Sequence, residues 1–259
     1  MKPDIHEQKS IWEIVPGEKT AVVLAMPNCA TDEIVLLVHG FMSNKNSETN
    51  LILTQRLLEK GIATIRLDIF GHGESDGPLN QLTLSRCLHQ IDGVMKWIQN
   101  NGYVKVSMVG SSFGGLISIH TAEKYPDLRR LALKCPVSNY PTIWQNRLST
   151  SGMSRWKEEG LLTFMTEDGK AQLAYGYYED LLRYDTYATA GRMKTPTLVV
   201  HGDADVDVPV DQSIRLFDTL RLTNDQKQLV IIPGADHAFS KQDDFLKMVD
   251  AVDDWLTNP

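Results

Sequence analysis

Gly110-Ser111-Ser112-Phe113-Gly114-Gly115 lies between an apolar run, Val104 to Val109, and a helix-like segment, Phe113 to Lys124. A short apolar run bounded by turn residues reads as a buried strand, so the chain must pass from strand to helix within a few residues. A turn this sharp strains the backbone of its central residue and leaves no room for side chains two positions before or after it. Gly110 and Gly114 meet that demand only if Ser112 is the centre. Centring on Ser111 would require glycine at Val109 and Phe113, which excludes the neighbouring serine. The G-x-S-x-G spacing makes Ser112 the candidate nucleophile. A Gly/Ser-rich connection without chemistry is the rival reading, and the rest of the chain decides between them.

Outward from this turn, strand and helix alternate. Ile34 to Val38, Ile62 to Leu67, Val104 to Val109, Arg130 to Cys135, Thr197 to Val200 and Gln228 to Ile232 read as strands. Segments near 47–60, 83–99, 113–124, 210–220 and a last one ending near Trp255 read as helices, with Gly61 a plausible cap after the first. Continuous apolar strands separated by helices imply right-handed crossovers and a mostly parallel sheet covered on both faces. Two further β-prone runs, Ile11 to Val15 and Thr20 to Met26, flank Pro16-Gly17 and predict an N-terminal hairpin. The fold class is α/β. The rhythm breaks over the 58 residues 137–194, which hold nine of the chain's 20 aromatic residues. A structureless loop of that length is unusual in a compact domain, so the stretch is expected to be a small, largely helical cap over the sheet's C-terminal edge. The core then comprises residues 1–136 and 195–259.

Four loops resemble those of the α/β-hydrolase superfamily, and with the serine turn the resemblance runs from Val22 to Trp255. His39-Gly40-Phe41 is similar to the family's oxyanion loop, and Asp68-Ile69-Phe70-Gly71-His72-Gly73-Glu74-Ser75 to its D-x-x-G-x-G-x-S loop. His201 to Pro209 matches H-G-x-x-D-x-x-V-P, with Asp205 at the acid position, and Gly234 to Phe239 resembles the histidine loop, with His237 as base. A serine hydroxyl needs an imidazole to take its proton and a carboxylate to hold that imidazole in the right tautomer. Ser112, Asp205 and His237 supply these in the chain order of this fold. Asp203 and Asp207 are rival acids, and the three aspartates imitate the start of a calcium loop. That reading fails, because Val208 stands where glycine is needed and Ile214 where glutamate is. By the fold's logic the backbone N–H groups of Phe41 and Phe113 form the oxyanion hole. The resemblance also implies that His39, His72 and His201 brace loops; His89 and His120 read as structural or surface residues.

A serine at the turn argues against the haloalkane dehalogenases and epoxide hydrolases of the superfamily, which carry aspartate there. The pattern is most similar to small carboxylesterases of the cinnamoyl and feruloyl esterase type. What this implies is a cofactor-free serine esterase acting on small-molecule esters of medium acyl chains or aryl acids. Tyr175, Tyr177 and Tyr178 are the expected hydroxyl donors to a phenolic acyl group. A monoacylglycerol lipase, a thioesterase, a peptidase of the same fold and a ligand-binding protein keeping the triad are the alternatives.

Composition narrows the classes further. A formal net charge of −7 without a basic run argues against nucleic acid as a partner. No stretch approaches the roughly 20 apolar residues that cross a bilayer. Met1 to Glu7 lacks the apolar core of a signal peptide, so a cytoplasmic location is expected. Three widely spaced cysteines, Cys29, Cys87 and Cys135, suit reduced thiols. Neither H-E-x-x-H nor paired C-x-x-C occurs, and no dinucleotide-binding G-x-G-x-x-G follows the first strand, so no metal and no cofactor are expected.

Overall fold

The computed structural model describes residues 6–166 and 169–258. The N-terminal reading of Met1 to Glu7 therefore falls mostly outside the described residues. The strands are β1 (His6–Val15), β2 (Glu18–Met26), β3 (Glu33–Val38), β4 (Ala63–Leu67), β5 (Lys105–Ser111), β6 (Arg130–Lys134), β7 (Leu161–Thr166), β8 (Gly169–Ala174), β9 (Thr197–Gly202) and β10 (Lys227–Ile232). The helices are α1 (Glu48–Glu59), α2 (Leu84–Asn100), α3 (Phe113–Lys124), α4 (Tyr140–Glu159), α5 (Tyr175–Leu181), α6 (Thr186–Ala190), α7 (Asp211–Thr219) and α8 (Gln242–Thr257).

Eight strands form one sheet in the order β1-β2-β4-β3-β5-β6-β9-β10. Only β1 and β2 are antiparallel to their neighbours; the pairs from β4 to β10 are parallel. This is the expected α/β-hydrolase architecture. The period-2 pleat divides the apolar run of β3 between two cores. Ile34, Leu36 and Val38 pack with Ile91, Phe113 and Leu116 from α2 and α3 on one face. Val35 and Leu37 pack with Leu53, Leu57, Met248 and Val252 from α1 and α8 on the other. That double coverage is why the strand shows no polar alternation. Thr83 and Ser47 cap α2 and α1 through side-chain acceptance of backbone N–H groups, as their residue types favour. Among the described residues, no helix is long and apolar enough to cross a membrane.

Residues 137–194 fall between β6 and β9, as the broken rhythm implies. The stretch is not made of helices alone: α4, α5 and α6 are joined by an antiparallel hairpin of β7 and β8. Along β7 the side chains alternate between exposed and half-buried, a pattern too short to separate from helix in the sequence. Helix α4 is itself broken at Ser149, whose φ of 59° and ψ of 173° lie outside helical geometry.

Candidate active site

Ser112 ends the passage from β5 into α3 with φ 53° and ψ −115°, the strained conformation the flanking glycines imply. A Cβ on Gly110 would collide with Ser118 and the Gly114 carbonyl, and one on Gly114 with the carbonyls of Val38 and His39. The turn is pinned from outside as well. Ser112 N–H donates to the Lys134 carbonyl at 2.9 Å, and its own carbonyl accepts from Gly115 N–H at 2.9 Å and Val137 N–H at 3.1 Å.

Asp205 follows β9 and His237 follows β10, so adjacent parallel strands deliver both to the same sheet edge as Ser112. His237 Nδ1 lies 2.6 Å from Asp205 Oδ2. The Asp205 side chain is fully buried and that of His237 is partly exposed. The other carboxylate oxygen, Oδ1, accepts from the amides of Asp207 at 2.9 Å and Val208 at 2.8 Å. Burial pulls the Asp205 carboxyl toward higher pKa, but hydrogen bonds from His201 and His237 outweigh it and hold the group below the usual carboxylate range. Nδ1 facing an ionised acceptor favours the tautomer that carries its proton on Nδ1 and leaves Nε2 as an acceptor. Ser112 and His237 line the same cavity; no hydrogen bond joins them among the described residues.

The rival acids do other things. Asp203 Oδ1 accepts from the Gly234 amide at 2.6 Å and so braces the histidine loop. Asp207 pairs with Arg147 of α4 at 2.7 Å.

On the opposite side, the amides of Phe41 and Phe113 donate no hydrogen bond among the described residues, the condition an oxyanion hole requires. Gly40 brings the loop close: a Cβ there would stand 3.1 Å from Ser112 Cβ and 3.3 Å from the Ser111 carbonyl. The loop is braced by histidines, as expected. Met42 N–H donates to His72 Nε2 at 3.1 Å, Ile69 N–H donates to His39 Nε2 at 3.0 Å, and His39 Nδ1 donates to the Gly40 carbonyl at 2.7 Å. Burial lowers the pKa of both rings, His39 to about 3, so each stays neutral and accepts through Nε2. Beneath them Lys45 Nζ pairs with Asp68 at 2.6 Å and Glu74 at 2.5 Å. Sequence reading missed Lys45, whose place in an ordinary polar loop carries no signal.

The bracing role of His201 is more direct than expected. Its Nε2 faces only acceptors, Asp205 Oδ2 at 3.0 Å and the Val208 carbonyl at 3.0 Å, and therefore carries the proton. Ser213 Oγ lies 2.6 Å from Nδ1 and donates to it. Cys135 Sγ, His201 and Asp205 bring ligand atoms within 4.8 Å of one another. They do not suit a metal: burial pushes the Cys135 thiol up to about 12, and both nitrogens of His201 and both oxygens of Asp205 are committed.

The cavity above Ser112 encloses about 860 Å³ and is lined by the insertion as well as the core, including Phe41, Tyr140, Trp144 and Phe164. Tyr175, Tyr177 and Tyr178 are not among its walls, contrary to expectation. Tyr177 stacks on Phe41 from behind, with ring centroids 6.3 Å apart, and the Tyr178 hydroxyl accepts from Gln145 at 2.8 Å. They belong to the aromatic cluster that joins the insertion to the core. Gln212 fastens the start of the insertion, its Oε1 accepting from the amides of Ser138 and Asn139 at 2.9 Å each.

Residues 53–258 match the prolyl oligopeptidase family. The chain belongs to that family of α/β hydrolases. Among relatives, the mitochondrial palmitoyl-protein thioesterase ABHD10 of Bos taurus is 22% identical over 227 residues, covering 86% of this chain and 72% of that protein. Est1E from Butyrivibrio proteoclasticus, solved with ferulic acid bound, superposes with a TM-score of 0.82 at 25% identity, covering 95% of this chain and 97% of Est1E. Alpha/beta hydrolase domain-containing protein 10 from mouse superposes at 0.79 with 19% identity, covering 95% of this chain and 97% of its own, a likeness of fold. Family membership and the serine turn thus agree on the architecture, while the relatives differ in what they act on.

Proposed function

We propose that this family member is a serine carboxylesterase in which Ser112 is the nucleophile, His237 the general base and Asp205 the acid that orients it. The observation that carries the reading is the 2.6 Å bond from His237 Nδ1 to buried Asp205, beside a strained serine on the same cavity. Ser112 Oγ attacks the ester carbonyl while His237 Nε2 takes its proton. The Phe41 and Phe113 amides stabilise the developing oxyanion, a contribution of roughly 10²–10³-fold per donor. The imidazolium then protonates the departing alkoxide. Water, deprotonated by the same ring, releases the acid and restores the serine.

Residues 137–194 act as a cap subdomain on a core of 1–136 and 195–259, and their side chains select the acyl group. A cavity of this size, with aliphatic and aromatic side chains over much of its wall, suits medium acyl chains and aryl acids, each buried methylene adding about 0.8 kcal/mol at most. The likeness to Est1E with ferulic acid supports the aryl branch. Thioesters are the second reading, favoured by the ABHD10 relatives. Three free cysteines suit a reducing compartment such as the cytoplasm.

The test compares kcat/KM for p-nitrophenyl acetate, butyrate and octanoate, a methyl hydroxycinnamate, an octanoyl thioester and an aminoacyl p-nitroanilide. Octanoate or hydroxycinnamate is expected to lead. Acetate as the best ester would sink the acyl-selecting cap, and preferential anilide cleavage would place the chain with peptidases instead.

A further inference from the structure

Among the described residues, the charged side chains on the cavity wall are Arg147, Arg155 and Asp207. The chain as a whole is acidic, with 33 Asp and Glu against 26 Lys and Arg. Its long-range field therefore repels anions, and a wall with two guanidinium groups against one carboxylate runs counter to the rest of the molecule. Arg147 is occupied, its Nη2 standing 2.7 Å from Asp207 Oδ1. Arg155 is not: among the described residues its nearest carboxylate, Glu159, is 3.8 Å away, both side chains are mostly exposed, and Glu159 is absent from the wall. Helix α4 breaks at Ser149, between the two arginines, and both segments turn an arginine to the cavity. Most of the remaining wall is apolar, including Ile143, Trp144, Leu148, Leu162 and Phe164. A hydrated cation beside an apolar wall, with no strong partner of its own among the described residues, is free to exchange water for an anion. The guanidinium fork meets a carboxylate in two parallel hydrogen bonds.

We propose that the preferred substrates are esters carrying a free carboxylate remote from the scissile bond, and that Arg155 is the specificity-determining residue that receives it. This rests on the serine-hydrolase reading above. Asp207 sets the strength of the preference from the other side, because it cancels the charge of Arg147.

Two matched ester pairs test it. Mono-p-nitrophenyl suberate against its methyl-capped counterpart places the carboxylate on the acyl side; 4-butyryloxybenzoate against its methyl ester places it on the alcohol side. In low salt the anionic member of one pair should show a kcat/KM about fivefold above its neutral partner, the scale of a partly exposed charge pair. Arg155→Gln should bring that ratio to near one, Asp207→Asn should raise it, and about 0.5 M NaCl should compress it. A ratio at or below one in both pairs, or one that Arg155→Gln leaves unmoved, overturns the proposal while leaving hydrolysis of the neutral esters intact. If none of the four esters is turned over, the hydrolase reading itself has failed. Calorimetry with monomethyl suberate and dimethyl suberate on the unaltered chain then decides the selectivity: tighter binding of the monoanion supports it, and equal binding refutes it.

Discussion

His201 Nε2 stands 3.0 Å from Asp205 Oδ2, the same oxygen that holds His237 Nδ1 at 2.6 Å. One carboxylate oxygen thus serves two imidazoles, one buried and anchored by Ser213, the other facing the cavity. The buried ring draws off part of the charge that Asp205 presents to His237. On the proposed mechanism His201 is accordingly a positioning residue. His201→Leu should cut kcat roughly tenfold and move the acid limb of the kcat/KM profile to higher pH, since the carboxylate then directs more of its charge at His237. Lys134, Cys135 and Asp207, which lie next to Asp205, are unchanged by the substitution. His201→Gln, which restores a donor, should recover most of both effects; a merely structural role would lower kcat without displacing the limb.

Asp205 and its neighbours separate by substitution. Asp205→Asn should lower kcat on the order of 10⁴-fold, because an amide there favours the wrong tautomer of His237. Asp203→Asn and Asp207→Asn should each cost less than about tenfold on a neutral ester, since these residues hold a loop amide and Arg147 rather than the imidazole. A crippled Asp207→Asn would mean that the acid has been misplaced by two residues.

Ser112→Ala should abolish labelling by a fluorophosphonate and reduce kcat by about 10⁶-fold, the scale of nucleophile deletions in serine hydrolases. Ser111→Ala should label normally. The contrast is read on a gel, with circular dichroism to verify that both variants fold.

Stability should decline on the acid side earlier than carboxylates alone would dictate. Burial lowers the pKa of His39 to about 3 and of His120 to about 4, and lowers His72 as well. A group whose folded pKa is depressed contributes its full stability above the unfolded value, near about 6.5 for histidine, and loses it as pH falls toward the folded value. Each ring kept neutral should therefore steepen the fall by up to about 1.4 kcal/mol per pH unit below 6.5. His120 Nε2 lies 3.3 Å from Thr186 Oγ1, away from the Ser112 cavity. His120→Gln should leave a visibly shallower decline of Tm between about pH 6.5 and 4. An unchanged slope would show that His120 protonates freely in the fold.

Much of this molecule is written in local sequence. Helix α3 spans Phe113 to Lys124 as read, because a glycine-flanked turn and the apolar run before it leave no other boundary. The division of β3 between two cores follows from its unbroken apolar run, and the placement of Ser112, Asp205 and His237 on one edge follows from parallel strands ending there. Each of these is signalled by a motif or run of a few residues, with the parallel sheet bringing the distant motifs to one edge. The insertion is different. That Tyr140 and Trp144 line the cavity while Tyr175, Tyr177 and Tyr178 do not, that Leu161 to Ala174 forms a hairpin, and that Arg147 and Arg155 share one wall were settled by packing. The same holds for the oxygen shared by His201 and His237. Aromatic content and motif spacing say which side chains are close along the chain, but which face of a cluster meets solvent, and which rotamer a buried carboxylate adopts, depend on partners brought in from distant strands.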